Sequence, residues 1–220
     1  MGLNKSRGNM YGFVSHTWNT IKGRCYHDCS YCYMKRWGTL KPVRFDEKEL
    51  KTDLGEGNYI FVGSSCDMFS GHLPTDWVMR TLEHCCRFKN KYLFQTKEPG
   101  AIYGFKEYLP KLSIVCTTIE TNRHYPGIMG KSPTPYDRAR AFSLIELDKY
   151  ITIEPIIDFD LRPLVNMIKQ CKPFQVNIGA DTGNNNLPEP SWDKVEELIR
   201  ELQSVTAVVR KNNLTRLQGK

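Results

Sequence analysis

Three cysteines stand close together near the start of the chain: Cys25, Cys29 and Cys32, in the stretch CYHDCSYC. Spacings of four and three residues let one short loop bring three thiolates around a single metal ion or a small metal cluster. A closed structural zinc site takes four ligands, often from a second CxxC pair, which this sequence lacks. Three ligands suit a four-iron–four-sulfur cluster that keeps one iron open. The spacing favours that cluster, with zinc as the alternative and His27 as an awkwardly placed fourth ligand.

The remaining five cysteines raise the question of disulfides, because eight in total is an even number. A disulfide framework fits short secreted chains, whereas this chain is long and its basic start is not followed by an apolar leader. We therefore expect reduced thiols and a cytoplasmic location. Four of the five are expected to pack in helices or strands: Cys85, Cys86, Cys116 and Cys171. Cys66 is considered separately below.

Short runs rich in β-branched and aromatic residues recur along the chain and predict six strands. They are residues 17–21, 59–63, 92–96, 112–118, 150–153 and 174–179. Helical spacing of apolar residues lies between several of them, with Thr75, Asp160 and Ser191 as candidate caps. This alternation predicts an α/β fold with parallel strands, as an incomplete barrel or an open doubly wound sheet. In both, functional side chains gather after the carboxyl ends of the strands.

The 220 residues predict a single domain over 1–220, with a short N-terminal arm over 1–14 and a basic C-terminal tail over 210–220. Since no apolar run approaches the ~20 residues that span a bilayer, no membrane partner is expected. The net charge of +7 is uneven: residues 1–51 hold ten Lys/Arg against four acidic residues, a net of +6. This excess around the cysteines indicates either a solvated basic segment or an anionic partner such as nucleic acid.

The CxxxCxxC spacing with Tyr31 before the last cysteine resembles the radical S-adenosylmethionine (SAM) superfamily. The resemblance implies an incomplete (β/α)6 TIM-like barrel in which the three cysteines hold a 4Fe-4S cluster. The open iron would chelate the amino and carboxylate groups of SAM. One-electron reduction, by a donor such as flavodoxin or ferredoxin, would then cleave SAM to methionine and a 5′-deoxyadenosyl radical that abstracts hydrogen.

The segments that follow the predicted strands extend the resemblance along nearly the whole chain. They are GSSCDMF at 63–69, QTKEP at 95–99, TTIETN at 117–122, IEP at 153–155 and GADTG at 179–183. This series resembles the phage Gp37/Gp68-like family and, more distantly, the spore photoproduct lyases. Asp181 stands where the phage-type family often has a second glycine and a glutamate, so that motif is only partly kept.

The resemblance also implies roles for the residues in these segments. Ser65 and Asp67 would accept hydrogen bonds from the ammonium group of SAM, and Lys97 would bind its carboxylate. Three further residues are candidates for the carboxylate or the ribose: Thr118, Glu120 and Arg138. Ordinary strand-end residues are the alternative for all of these.

Two more residues are candidates for the chemistry itself. Glu154 ends the fifth predicted strand, where it would contact substrate or cofactor, or else pair with a basic residue inside the barrel. Cys66 occupies a position similar to the hydrogen-donating cysteine of the lyases. Its alternative is a small buried apolar residue, which free cysteine commonly is.

The sequence thus favours a radical SAM enzyme that acts on a nucleic acid or nucleotide-like substrate. The substrate class depends on the basic segment and the likeness to the lyases. Two other hypotheses stay open: a radical SAM enzyme with a protein or peptide substrate, and a non-enzymatic nucleic-acid-binding protein with a structural metal site.

Overall fold

A computed structural model describes residues 2–7 and 11–219. Ten strands are found in this part of the chain. They are β1 (Asn4–Lys5), β2 (His16–Trp18), β3 (Ile21–Lys22), β4 (Arg44–Phe45), β5 (Tyr59–Val62), β6 (Lys91–Gln95), β7 (Ser113–Thr118), β8 (Asp148–Ile153), β9 (Gln175–Ile178) and β10 (Ala207–Arg210).

Eight of these strands form one sheet in the order β1-β2-β5-β6-β7-β8-β9-β10. All neighbours from β2 to β10 are parallel, and only β1 runs antiparallel to β2. The described strands do not close the sheet, so the predicted incomplete TIM-like barrel is confirmed. Five of the six predicted strands correspond to β5–β9, the first run, 17–21, is divided between β2 and the start of β3, and β10 is an additional parallel strand at the edge.

Helices connect the parallel strands. The α-helices are α1 (Thr75–Cys86), α2 (Pro126–Met129), α3 (Pro135–Ser143), α4 (Leu161–Cys171) and α5 (Trp192–Gln203). Four 3-10 segments add to them: Tyr33–Trp37, Glu47–Lys51, Pro99–Tyr108 and Asn212–Gly219. The three predicted helices are α1, α4 and α5, whose apolar faces are buried against the sheet. Asp160 and Ser191 occupy the N-cap positions, but neither side chain makes a capping hydrogen bond, and Thr75 is the first helical residue after Pro74.

The side chains of each strand alternate between two environments. In β5, Ile60 and Val62 belong to the main core beneath the helices, whereas Phe61 joins a smaller cluster with Leu93 and Tyr150. Phe61 also lines the cavity described below, together with polar side chains at the carboxyl ends of the strands.

Parts of both predicted terminal segments pack on the barrel. Tyr11 and Val14 are buried in the interior cluster, where the Tyr11 ring lies 5.3 Å from that of Tyr150. At the other end, the expected tail begins at the last residue of β10 and continues as a helix with Leu214 and Leu217 buried. Residues 1 and 8–10 of the predicted arm, and residue 220 of the predicted tail, lie outside the described residues. None of the helices in the described ranges is long and apolar enough to cross a membrane.

Candidate functional site

A cavity of about 450 Å³ opens at the carboxyl ends of the parallel strands. This volume lies in the range of small-molecule and cofactor sites. Nine of the eleven residues that the sequence singled out line it: Cys25, Cys29, Cys32, Ser65, Cys66, Asp67, Lys97, Thr118 and Glu154. The parallel topology explains this convergence, because each strand delivers its following residues to the same end of the barrel.

The cysteine loop follows β3 and is held against the segment around α2. The amide of Ser30 donates to the carbonyl of Ile128 (2.9 Å), and the amide of Lys131 donates to the carbonyl of His27 (2.7 Å). Gly130 has φ +60° and faces the His27 carbonyl so closely that a Cβ would collide with it. Glycine is therefore required where the two segments meet.

The three candidate ligands differ in exposure: Cys29 is buried, and Cys25 and Cys32 are partly buried. Burial raises the pKa of both Cys29 and Cys32, and the charge of Lys97 opposes this rise. Among the described residues, no three His, Cys, Asp or Glu side chains converge as ligands of one metal ion. A four-iron cluster makes a different demand, because each cysteine binds a separate iron at a corner of the cluster. Three thiols from one short loop on one cavity wall fit that demand.

Cys66 lies on the cavity wall beside the cysteine loop and is 5% exposed. A hydrogen bond joins its thiol to Cys25, and this contact is the main cause that lowers the pKa of Cys25 to about 6. The same hydrogen bond, followed by burial, raises the pKa of Cys66. The sequence predicts Cys66 in the loop after the second strand, and the structure places this loop beside the cysteine loop.

Asp67 links the cysteine loop to the loop after β6. One carboxylate oxygen, Oδ2, faces His27 Nε2 (2.9 Å), the hydroxyl of Thr96 (3.0 Å) and the amide of Lys97 (2.7 Å). The amide of Phe69 donates to Oδ1 (3.1 Å). Burial raises the pKa of Asp67, but His27 and these donors outweigh it, so the net pKa is lowered. The carboxylate therefore connects the cysteine loop to the loop after β6, and both loops line the cavity.

A buried charge network lies directly behind Lys97. Glu120 is 0% exposed and accepts from Lys97 Nζ (2.8 Å), from Arg138 Nη2 (2.7 Å) and from the Tyr31 hydroxyl. Arg138, from α3, also donates to the carbonyl of Thr118 (2.5 Å). Burial disfavours the charged form of Glu120, but Arg138 and Lys97 outweigh it and hold the Glu120 pKa well below its ordinary value.

Glu120 and Arg138 therefore differ from the sequence expectation of direct contact with SAM. Neither lines the cavity, and both are fully buried. The physical reason is that two opposite charges behind the wall neutralise each other and leave no group directed to a ligand. Lys97 and Thr118, by contrast, lie between this pair and the cavity.

The two remaining predicted residues stand on opposite sides of the cavity. Ser65 follows β5, and its amide donates to Oδ1 of Asn19 (2.9 Å), while its hydroxyl is 3.5 Å from the carbonyl of Ile21. Glu154 follows β8 and accepts from Lys211 Nζ (2.6 Å) and Asn213 Nδ2 (2.9 Å). Glu154 thus has the basic partner that was the structural alternative for it, and it still lines the cavity.

Sequence reasoning missed several residues of this site. Lys211 and Asn213 lie in the segment predicted as a tail, because the strand before them, β10, is short and mostly exposed and gives only a weak apolar signal. The sequence offers His27 only as an awkwardly placed ligand, whereas its ring is buried against Asp67 with Nδ1 unpartnered among the described residues. No sequence pattern points to Tyr33, whose hydroxyl donates to the Ser64 carbonyl (2.6 Å).

Comparison with known proteins identifies the fold. No protein-family model matches the sequence, and no curated protein matches it either. The phage Gp37/Gp68-like resemblance therefore has no family match to support it. Among solved structures, a spore photoproduct lyase double mutant with bound AdoMet (SAM) and dinucleoside spore photoproduct is similar at a TM-score of 0.59 and 10% identity. The alignment covers 91% of this chain and 64% of that chain.

Two further spore photoproduct lyase structures agree. A Tyr-to-Phe mutant has a TM-score of 0.62 at 11% identity, and a Cys-to-Ala mutant has 0.64 at 10%. They cover 91% and 92% of this chain, and 78% of theirs. At this identity the similarity establishes a partial TIM-like barrel of the kind seen in that lyase. The chain spans less than two thirds of the first of these structures.

Proposed function

We propose that this protein is a radical SAM enzyme that acts on a nucleic acid or nucleotide-like substrate. The observation that carries the proposal is the position of Cys25, Cys29 and Cys32 on the wall of a cavity at the carboxyl ends of a partial barrel. A zinc site of purely structural type would be closed by a fourth ligand.

The fit of a 4Fe-4S cluster and SAM depends on the residues around the three cysteines. With both bound and the cluster reduced by a donor such as flavodoxin or ferredoxin, the site would supply a 5′-deoxyadenosyl radical. Lys97 offers a cation to the SAM carboxylate, and Ser65 and Thr118 offer hydroxyl groups from two strand ends. Glu120 and Arg138 hold Lys97, Tyr31 and the Thr118 backbone in place from behind the wall.

The substrate class has two supports. The lyase structures include complexes with a dinucleoside spore photoproduct. In addition, four cationic residues line the cavity on the side of the basic segment: Arg7, Arg24, Lys35 and Arg36. Cations at the entrance of a cavity attract polyanions such as nucleic acid.

Anaerobic reconstitution with iron and sulfide tests the cluster and its chemistry. We expect a brown protein with about four irons per chain that cleaves SAM to 5′-deoxyadenosine and methionine after reduction. Cys29→Ala should lose the visible absorption and the cleavage. Cys86→Ala is the matched control, because Cys86 is exposed on α1 and outside the cavity. A colourless zinc protein that leaves SAM intact would refute the proposal.

Substrate class is tested by the rate of 5′-deoxyadenosine formation with separate pools of oligonucleotides and peptides. Stimulation by oligonucleotides supports the proposal, and stimulation by peptides alone would replace it with a protein substrate. Deuterium carried from a labelled substrate into 5′-deoxyadenosine would locate the abstracted hydrogen.

Cys66 is proposed as a hydrogen donor within this reaction. Its thiol would give a hydrogen atom to the substrate radical, and an electron from the reductant with a proton from water would restore the resulting thiyl group. In deuterium oxide the exchangeable thiol should place one deuterium in the product. Cys66→Ala should lose this label and alter the product, whereas unaltered product and turnover would exclude the donor role.

A further inference from the structure

The cysteine loop continues into a basic rim of the cavity, formed by Arg7, Arg24, Lys35, Arg36 and Trp37. The last three belong to the 3-10 segment Tyr33–Trp37, which begins directly after Cys32 and has no buried residue. The four cations line the cavity, and Trp37 follows Arg36 immediately in the sequence. All five residues are exposed, so this surface is open to a ligand that extends beyond the cavity.

The rim carries more positive charge than its own carboxylate neutralises. Asp28 pairs with both Arg24 (2.6 Å) and Lys35 (2.9 Å), so one carboxylate serves two cations. Arg36 is exposed, and the described residues offer it no ion pair. Since exposed pairs contribute little, a phosphate can replace such partners at small cost. The charge of the rim is complementary to a chain of phosphates.

Trp37 adds a second, apolar feature to this charged surface. It is 79% exposed, the highest value among the large hydrophobic side chains of the described chain. The other three tryptophans are buried or partly buried: Trp18, Trp77 and Trp192. An exposed indole beside exposed cations is the combination that binds single strands, because bases stack on the ring while cations follow the backbone.

We propose that the basic rim binds a single-stranded or locally unpaired nucleic acid, with Trp37 stacked on a base adjacent to the nucleotide in the cavity. Arg36 and Arg7 bind the phosphates that connect the two nucleotides. This inference rests on the proposed function, since it assumes that a nucleotide occupies the cavity. It adds the form of the substrate: an enzyme that acts on a nucleotide within a strand must take it out of the stack.

Binding of a labelled oligothymidylate to the reconstituted protein tests the rim directly. Stacking contributes enough per base that Trp37→Ala should weaken binding by about tenfold, while Trp37→Phe keeps most of the affinity. Tyr136→Ala is the matched control, because Tyr136 is 63% exposed on α3 and lies outside the cavity lining. Oligouridylate, in a parallel titration, separates DNA from RNA.

Two further readouts separate stacking from charge alone. Oligothymidylate should quench the tryptophan fluorescence and protect it from iodide, and Trp37→Phe should lose this signal. Heparin, a polyanion without bases, should bind Trp37→Ala and the parent protein equally. Equal oligothymidylate affinity for Trp37→Ala and parent, or no binding by the parent, would overturn the inference. Cleavage of SAM is measured separately, so failure of the enzyme proposal appears there and not in these titrations.

Discussion

The buried network behind Lys97 and the basic rim hold their charges in opposite ways. In the network, Glu120 and Arg138 are both 0% exposed and pair with each other at 2.7 Å. In the rim, Arg36 is exposed and has no ion pair within the described chain, and Asp28 is shared between two cations. The charged groups of the network pair with each other, whereas the rim has cations that are available to an anionic partner.

This difference indicates which residues hold the site in place and which bind a ligand. A buried charge without its partner is very unfavourable, so the network holds the cysteine loop, through Tyr31, in a fixed position relative to Lys97. An exposed cation costs little to leave unpaired, so the rim is free to exchange partners. Substitutions in the network should therefore change stability, whereas substitutions in the rim should change binding.

Glu120→Gln should have the largest effect on stability. It removes the negative charge that Arg138 and Lys97 share and leaves the fully buried Arg138 uncompensated. Breaking such a pair costs about 3–5 kcal/mol, which urea unfolding of the reduced apoprotein would measure. The control is Asp160→Asn, which breaks the exposed pair with Arg123 and should cost less than about 1 kcal/mol. Equal effects of the two variants would show that the buried network contributes no more to stability than an exposed ion pair does.

Asp67→Asn should have the next largest effect. The substitution keeps the shape but removes a charge that faces His27, Thr96 and the Lys97 amide on one oxygen. Hydrogen bonds to a charged group contribute about 1.5–3 kcal/mol each, so we expect a loss of about 2 kcal/mol. Urea unfolding measures this loss. An unchanged free energy of unfolding would show that Asp67 does not stabilise the contact between the cysteine loop and the loop after β6.

Acid should weaken the network through Glu120. Its pKa is depressed in the folded protein, so its contribution is complete above the unfolded pKa of about 4.3 and is lost as the pH falls below it. The difference in unfolding free energy between parent and Glu120→Gln should therefore shrink from pH 7 towards pH 3. A difference that stays constant over this interval would show that Glu120 is not ionised in the folded protein.

Arg36→Ala should have the smallest effect on stability, within about 0.5 kcal/mol, because the side chain is exposed. Its effect should appear in binding. The slope of the logarithm of oligothymidylate affinity against the logarithm of salt concentration should become less steep by about 0.7. Arg140→Ala, an exposed arginine on α3, should leave the slope unchanged. An unchanged slope for Arg36→Ala would remove this residue from the rim.

Much of the fold of this protein could be predicted from local sequence patterns. The apolar β-rich runs predicted β2 and β5–β9, and parallel topology alone brought Ser65, Lys97 and Glu154 to one end of the barrel. β10 was missed because it is short and mostly exposed, so its apolar signal is weak.

The arrangement within the site follows from long-range packing instead. Glu120 and Lys97 both follow strands, yet one lies behind the wall and the other on it. The direction of Glu120 depends on Arg138, which comes from α3, a helix that the sequence analysis did not predict. The tertiary partner of a strand-end carboxylate must therefore be known before a role in ligand binding is assigned to that carboxylate.

Electron paramagnetic resonance of the reduced, reconstituted protein with and without SAM tests the central claim most directly. We predict the signal of a reduced four-iron cluster that changes when SAM is added, since three cysteines leave one iron open. Cys86→Ala should give the same two spectra, and Cys29→Ala should lose them. A cluster signal that SAM does not change, or no cluster signal in the parent protein, would contradict the account.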